Sequence, residues 1–341
     1  MVDRHIAGSL FGMAFGDALG AETEFMSYDD ILTKYPPNGP LELPGNSTGD
    51  AAKVTDDTQM ALAVGEALIN APHPFERDSL AEQLVKSFID WYNDPENNRA
   101  PGSTCLNACE NLIDGIGWQD ACDISSKGCG ANMRVQAVGC LPSGMVDETA
   151  RAGIAQLQAA ITHGHPTALA ASDLTAFAIY ELRTGTLPRM LVRRIREYAR
   201  SQRDVYHEEW LGDLWKRAYM MRSPVDYISH GWSECMEILE RLDNALFVTN
   251  YEADPCDFTG KGWIAEEAFG TGLLCFLMYP DDPMRAIQRA AFTGGDSDSI
   301  ACLTGAFAGA YHGIDRWSYD WISRIEYRER LDTLAETLST M

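Results

Sequence analysis

Hydrophobic residues recur along almost the whole chain at the three-to-four spacing of a helix face, and no stretch alternates apolar and polar residues between hairpin turns. This pattern predicts an all-α fold. Helices are expected near 4–20, 56–71, 76–93, 104–114, 131–140, 147–162, 167–184, 187–202, 205–220, 224–245, 263–278, 283–291, 298–312 and 323–338. No repeat period relates them. Three irregular stretches interrupt the pattern, at 27–54 (rich in Pro and Gly), 94–103 and 248–262. Long loops in a compact domain tend to carry function. Each runs directly into a segment that needs burial, so none reads as a linker, and residues 1–341 are expected to form a single domain.

Glycines add a packing argument. Gly8, Gly12, Gly16 and Gly20 fall on one face of the first helix, and Gly305, Gly309 and Gly313 repeat the spacing near the end. Glycine costs about 1 kcal/mol against alanine inside a helix. Either these glycines are simply tolerated, or they make smooth faces on which other backbones come close. Membrane helix dimers use the same spacing, but Asp17 interrupts the first face.

The chain has 341 residues, 27 Lys and Arg against 50 Asp and Glu, and a formal charge of −23, with 45% hydrophobic residues. Such an acidic excess repels phosphate backbones and anionic lipid, so nucleic acid and membrane surfaces are not expected partners. The richest basic stretch, Arg189, Arg193, Arg194, Arg196, Arg200 and Arg203, sits on one predicted helix. The first fifteen residues carry no charged leader followed by an unbroken apolar run, and no segment reads as a transmembrane helix. The nine cysteines are odd in number and several lie in apolar helical runs, which fits reduced thiols in a cytoplasmic protein. Cys105, Cys109, Cys122 and Cys129 lack the spacing of a zinc knuckle.

Two acidic clusters stand at loop-to-helix junctions. Thr55-Asp56-Asp57-Thr58 precedes the apolar run from Met60 to Ile69, and Gly294-Gly295-Asp296-Ser297-Asp298-Ser299 precedes Ile300 to Tyr311. Aspartate, serine and threonine cap helix N-termini, and capping explains one residue in each cluster. It leaves the paired carboxylates unexplained. Adjacent carboxylates raise each other's pKa and repel unless a cation is shared, and an all-oxygen donor set suits Mg²⁺, Mn²⁺ or Ca²⁺ rather than zinc or copper. Because 296 − 57 = 239 positions separate Asp57 from Asp296, only the fold can join them.

Taken in order, the motifs resemble those of the ADP-ribosylglycohydrolase family. They are Gly16-Asp17-Ala18-Leu19-Gly20 with Glu24; Thr55-Asp56-Asp57-Thr58; Gly102-Ser103-Thr104; Gly128-Cys129-Gly130-Ala131-Asn132-Met133-Arg134; Thr162-His163-Gly164-His165-Pro166; Gly262-Trp263 with Glu266-Glu267-Ala268; and the Gly294 to Ser299 turn. The resemblance covers most of the chain. It implies a compact orthogonal helical bundle whose cleft holds two Mg²⁺ or Mn²⁺ ions, with Thr55, Asp56, Asp57, Asp296, Asp298 and Ser299 as ligands and Asp57 and Asp298 taking part in catalysis. The segments Arg99-Ala100-Pro101-Gly102, Gly128 to Arg134 and Thr162 to Pro166 look most like those of the family's ADP-ribosylarginine hydrolases and the dinitrogenase reductase-activating glycohydrolase. The implied activity is removal of ADP-ribose from arginine on a modified protein, reversing mono-ADP-ribosylation. The alternatives are hydrolysis of another ADP-ribose linkage, or an immunity-type protein that occludes a partner ADP-ribosyltransferase, for which the 27–54 loop is the first place to look.

In that frame Glu24 is the candidate base, acting on water or on the 2-hydroxyl of the distal ribose, since glycosidic cleavage through an oxocarbenium-like state needs a carboxylate for proton transfer. On bare sequence it is a surface residue after the first helix. The amides of Gly128, Cys129, Gly130, Ala131 and Asn132, at the start of a predicted helix, are candidates to meet the pyrophosphate, with Met133 in the same substrate loop. Gly102 and Ser103 are comparable candidates. Arg134 contacts a phosphate or is a salt-bridged helical arginine. His163 orients the ligand or is a hydrogen-bonded loop histidine, and Trp317 and Trp321 read as core or interface.

Overall fold

The structure, a computed structural model, describes residues 2–45, 48–248 and 250–341. The first half carries α1 (Arg4–Gly20), α2 (Tyr28–Lys34), α3 (Asp56–Asn70), α4 (Arg77–Tyr92), α5 (Ser103–Ile113), α6 (Trp118–Ala121), α7 (Gln136–Gly139), α8 (Glu148–Ala160) and α9 (Pro166–Arg183). The second carries α10 (Pro188–Gln202), α11 (Glu208–Leu211), α12 (Pro224–Val248), α13 (Cys256–Thr259), α14 (Ala265–Met278), α15 (Pro283–Ala291), α16 (Ser297–His312), α17 (Tyr319–Arg324) and α18 (Arg328–Thr340). No strand forms among the described residues, and extended pairing is confined to isolated bridges such as Asp123 with His163 and Gly128 with Ile264. The fold is all-α, as the periodicity predicts.

Helices α1 and α16 form the centre. Every residue of α1 from Ile6 to Gly20 is buried, as is every residue of α16 from Ser297 to Ala310. A helix apolar on all sides belongs inside a large core. The glycine ladder explains how two such helices pack. A Cβ on Gly8 would lie 2.4 Å from Gly309 O, on Gly12 2.2 Å from Gly305 O, on Gly16 1.9 Å from Ala301 O, and on Gly20 2.4 Å from the Asp298 Cα. The two helices therefore run antiparallel in backbone contact, and the close-approach reading of the glycines holds. Phe15 then meets the edges of Trp317 and Trp321 at 5.4 and 5.7 Å, so both tryptophans are core. This packing delivers the C-terminal end of α1 to the N-terminal end of α16, where the site lies.

Amphipathic helices surround that pair. The arginines of α10 are a solvated face, with Arg193 on Glu197, Arg194 on Glu181 and Arg196 on Asp243. All nine cysteines are free and buried. No helix among the described residues is long and apolar enough to cross a membrane.

The predicted boundaries fail at chain breaks. The expected 131–140 helix is a 3₁₀ turn at Cys129–Ala131 followed by the four-residue α7. The expected 205–220 helix breaks at Gly212, whose φ is 54°. The last helix divides at Tyr327, with φ 57°. Inside the 27–54 loop, Ser27 Oγ accepts from the Asp30 amide at 3.2 Å and starts α2. Residues 46 and 47 of that loop, and residue 249 of the 248–262 stretch, lie outside the described residues. The rest of the loop is tied down, since Trp321 Nε1 donates to Glu42 at 3.1 Å and Arg324 Nη1 to Pro44 O at 3.2 Å.

Candidate active site

A cleft of about 280 Å³ opens where these helix ends meet. Asp56 and Asp57 enter from α3, Asp296, Asp298 and Ser299 from the start of α16, and Glu24 and Phe25 from the turn after α1. Gly102, Ser103, Thr104 and Cys105 form one wall, Gly128, Cys129, Gly130, Met133 and His163 another, with Trp263 completing the lining. The two acidic clusters, distant in sequence, share this floor.

Asp17 joins them. It is fully buried and accepts four hydrogen bonds, from the amide and hydroxyl of Thr55 at 3.0 and 2.8 Å and from the amide and hydroxyl of Thr58, the former at 3.1 Å. One carboxylate in α1 thereby fixes the first turn of α3. In the sequence Asp17 stands in the first motif and breaks an apolar face without showing a partner, although a charge in such a face must be paired to be buried at all.

Capping and cation binding can now be separated residue by residue. Thr55 is the N-cap of α3 and accepts from the Asp57 amide at 3.3 Å. It does not line the cleft, and its hydroxyl is committed to Asp17. Asp298 accepts from the Ser299 amide at 2.9 Å. Asp296 stands at the N-cap position of α16 without making a capping bond, and Asp57 Oδ1 is buried with no hydrogen-bond partner. Capping thus accounts for Thr55 and leaves the carboxylates facing one another.

Oxygens of Glu24, Asp296 and Asp298 lie within 4.8 Å of each other. Burial, and then the charge of Asp298, pushes Asp17 to about 7 and Glu24 to about 9 and holds Asp56, Asp57 and Asp296 well above the usual carboxylate range. Asp298 is itself raised by burial. No lysine or arginine lines the cleft among the described residues. Such a group stays ionised only if a cation is shared. The orphaned Asp57 oxygen and the all-oxygen donor set fit a hard divalent ion.

The turn carrying Asp296 is strapped from behind. Its amide donates to Lys261 O at 2.7 Å, and the Gly294 amide donates to Asp254 at 2.9 Å. Gly295 is required there because a Cβ would sit 2.1 Å from Lys261 O.

Arg134 is not a phosphate ligand in this arrangement. It is fully buried behind the wall, donating to Gln158 Oε1 at 2.9 Å, Gln158 O at 2.7 Å and Thr162 Oγ1 at 2.8 Å, with its guanidinium 4.4 Å from the Phe88 ring centre. Its role reaches the cleft indirectly. Arginine only donates, so the Thr162 hydroxyl accepts from it and also pairs with His163 Nδ1, 2.7 Å away. His163 Nε2 lies toward Gly128 and the cleft, and burial, followed by Arg134, holds the ring neutral.

Ala131 and Asn132 also lie behind the wall. Ala131 O accepts from Gln158 and Ser172, and Asn132 Nδ2 donates to Ala265 O at 3.1 Å. Only a 3₁₀ turn follows Gly128, so the expected helix N-terminus is absent there. Beside the cleft, the N-terminus of α5 begins at Gly102, which makes no side-chain capping bond, whereas those of α3 and α16 carry the carboxylates. Gly130 is the close-packed point of the wall, where a Cβ would meet Cys105 Sγ at 2.9 Å and His163 Cε1 at 3.0 Å.

Comparison with known proteins comes to the same place. The family model described as ADP-ribosylglycohydrolase matches residues 2–341. The chain is 27% identical to human ADP-ribosylhydrolase ARH3 over 97% of its own length and 92% of the relative's. It is 26% identical to the ADP-ribosylarginine hydrolase Tri1 of Serratia proteamaculans, over 98% of its own length and 78% of the relative's. A solved ADP-ribosylglycohydrolase-related protein complex superposes with a TM-score of 0.69 at 22% identity, covering 99% of this chain and 98% of that one, a likeness of fold.

Proposed function

The chain belongs to the ADP-ribosylglycohydrolase family, and from that premise we propose that it removes ADP-ribose from modified arginine side chains of proteins, with two Mg²⁺ or Mn²⁺ ions. The observation that carries the reading is the convergence of Glu24, Asp56, Asp57, Asp296 and Asp298 in a cleft whose lining offers no basic side chain. Asp56, Asp57, Asp296, Asp298 and Ser299 would hold the ions, with Thr55 beside Asp57 and Glu24 left as the base. Divalent cations held there would neutralise these carboxylates and supply Lewis-acid polarisation of substrate oxygens.

The remaining chemistry belongs to the chain. Glu24 reaches in from a turn just after α1 and takes a proton from water or from the 2-hydroxyl of the distal ribose. His163 presents Nε2 to the substrate. The amides of Gly102 and Ser103 at the start of α5 face the anionic pyrophosphate, that of Gly102 also reaching the Asp56 carboxylate. These groups hold the ribose in place while the glycosidic bond opens, and positioning of this kind accounts for much of an enzyme's rate.

The arginine linkage is favoured by the likeness to the Tri1 relatives, whereas the likeness to ARH3 keeps another ADP-ribose linkage as the second reading. The carboxylate floor supports turnover rather than occlusion of a transferase. Nine free, buried cysteines support action in a reducing cytoplasm.

The test is release of ADP-ribose from an arginine-ADP-ribosylated protein in Mg²⁺, with and without chelator, run beside a serine-linked peptide. Asp57→Ala and Asp298→Ala are expected to abolish release while leaving the fold intact. Cleavage of the serine linkage alone refutes the arginine assignment, and release that survives chelation and both substitutions refutes the metal site.

A further inference from the structure

The mouth of the cleft carries a feature that neither cation binding nor packing uses. Phe25 and Trp263 are 69% and 42% exposed, yet their rings stack with centroids 5.5 Å apart and planes inclined by 20°. Phe25 follows Glu24 directly and has φ 64°, a conformation that a bulky side chain adopts only at a cost in free energy. Trp263 is built into the wall, where its carbonyl accepts from the Cys129 amide at 3.1 Å and its neighbour Ile264 bridges to Gly128. Two large aromatic faces are thus held at the entrance, one by strain and one by the substrate loop. Strain and exposed apolar surface at one spot mark a binding surface more often than a packing accident.

We propose that Phe25 and Trp263 form the face that receives the substituted guanidinium of the substrate, and so set the preference for arginine over uncharged linkages. This rests on the arginine reading above. A glycosylated guanidinium keeps its positive charge and its plane, whereas a serine linkage offers neither. A planar cation gains from an aromatic face by cation–π attraction and stacking. The cleft's carboxylates are taken up in holding cations, which leaves the ring faces as the neutral surface suited to this leaving group.

The experiment measures KM and kcat for arginine-linked and serine-linked ADP-ribosyl peptides, with the inhibition constant of free ADP-ribose, for the full chain and for Phe25→Ala, Phe25→Leu, Trp263→Ala and Trp263→Phe. Phe25→Leu keeps apolar bulk without a π face, and Trp263→Phe keeps the face. The expected result is a rise of roughly two- to five-fold in KM for the arginine substrate with each of Phe25→Ala, Phe25→Leu and Trp263→Ala. Trp263→Phe is expected to stay near the parent KM, with the ADP-ribose constant unchanged throughout. If ADP-ribose inhibition weakens in step, the rings hold the adenine and the assignment is overturned. Equal losses on both linkages, or an unaffected arginine KM in a protein that does cleave that linkage, overturn it as well. A parent protein that leaves arginine linkages uncut removes the arginine reading and this proposal together, a result distinct from the others.

Discussion

Alanine at Gly20 tests whether the glycine ladder positions the site as well as filling the core. The new Cβ would lie 2.4 Å from both the Asp298 Cα and Ser297 O, and 2.6 Å from the Asp298 amide. All three are backbone atoms, so no rotamer change can relieve the contact, and α16 must move by at least 3.0 − 2.4 = 0.6 Å at its first turn. Overpacking of this kind costs about 1–3 kcal/mol, and the helix propensity gained returns up to about 1 kcal/mol. At about 2.1 cal/mol/K per residue, the 341 residues unfold with an entropy of about 0.7 kcal/mol/K. A net loss of about 1–2 kcal/mol then lowers Tm by roughly 1.5–3 °C.

The control is Gly8→Ala, where the Cβ meets Gly309 O at 2.4 Å and the Gly313 Cα at 2.6 Å. Twelve residues along the helix place it about 18 Å from Gly20. Both variants are expected to lose similar Tm by calorimetry. Only Gly20→Ala shifts Asp298, so only it is expected to weaken Mn²⁺ binding by titration calorimetry, by about ten-fold or more, as when the supports of metal ligands are disturbed. Equal loss of Mn²⁺ affinity in the two variants, or no Tm loss in either, refutes the reasoning.

Three further outcomes are expected. Mn²⁺ at a hundred times its Kd should stabilise the protein by about 2.7 kcal/mol, raising Tm by roughly 4 °C, and Asp57→Ala should abolish the shift. Thr162→Val removes the hydroxyl that pairs with His163 Nδ1 and orients the ring, so ADP-ribose release should fall about ten-fold or more, and circular dichroism should show an intact fold. Buried Asp173, held by Tyr198 OH at 2.7 Å and Gln156 Nε2 at 2.9 Å, is pushed by burial from 3.8 to about 7. Across that window the folded chain keeps a proton that the unfolded chain has released, so stability falls as pH rises. In urea titrations at pH 5 and pH 8, Asp173→Asn should flatten this slope.

The all-α class and the central pair of helices were legible because fully buried helices are apolar all round and glycines spaced four apart leave a smooth face for close backbone approach, but the count was not, since fourteen expected segments became eighteen helices where the chain breaks at residues such as Gly212 and Tyr327. The carboxylate floor was legible as two clusters, since paired aspartates exceed what capping needs. Asp17 was hidden because its partners are the amides and hydroxyls of Thr55 and Thr58, roughly forty positions away. Arg134 was misplaced for a related reason. Its acceptors are Gln158 and Thr162, uncharged groups that leave no trace in a charge pattern. The pairing at the mouth had no sequence signal, since Trp263 stood in a motif but Phe25 did not, and the two meet only through the fold.

The excess of 50 acidic over 27 basic residues has a structural counterpart in how the buried arginines are used. Arg134 donates to Gln158 and Thr162, Arg151 to Leu141 O and Val146 O, and Arg289 to Phe292 O and Ala253 O. None of the three spends its charge on the carboxylate floor. Had an arginine been turned toward Asp57 or Asp296, the ion pair would have satisfied the cleft without any cation and closed it to one. Leaving those carboxylates uncompensated makes the cation-free protein less stable, because their mutual repulsion and burial are relieved only from outside. The same choice resolves how so acidic a chain receives a pyrophosphate. On the proposed cation site, the positive charge that draws in the substrate would arrive with ions held by the aspartates, so chelation should weaken substrate binding as well as turnover.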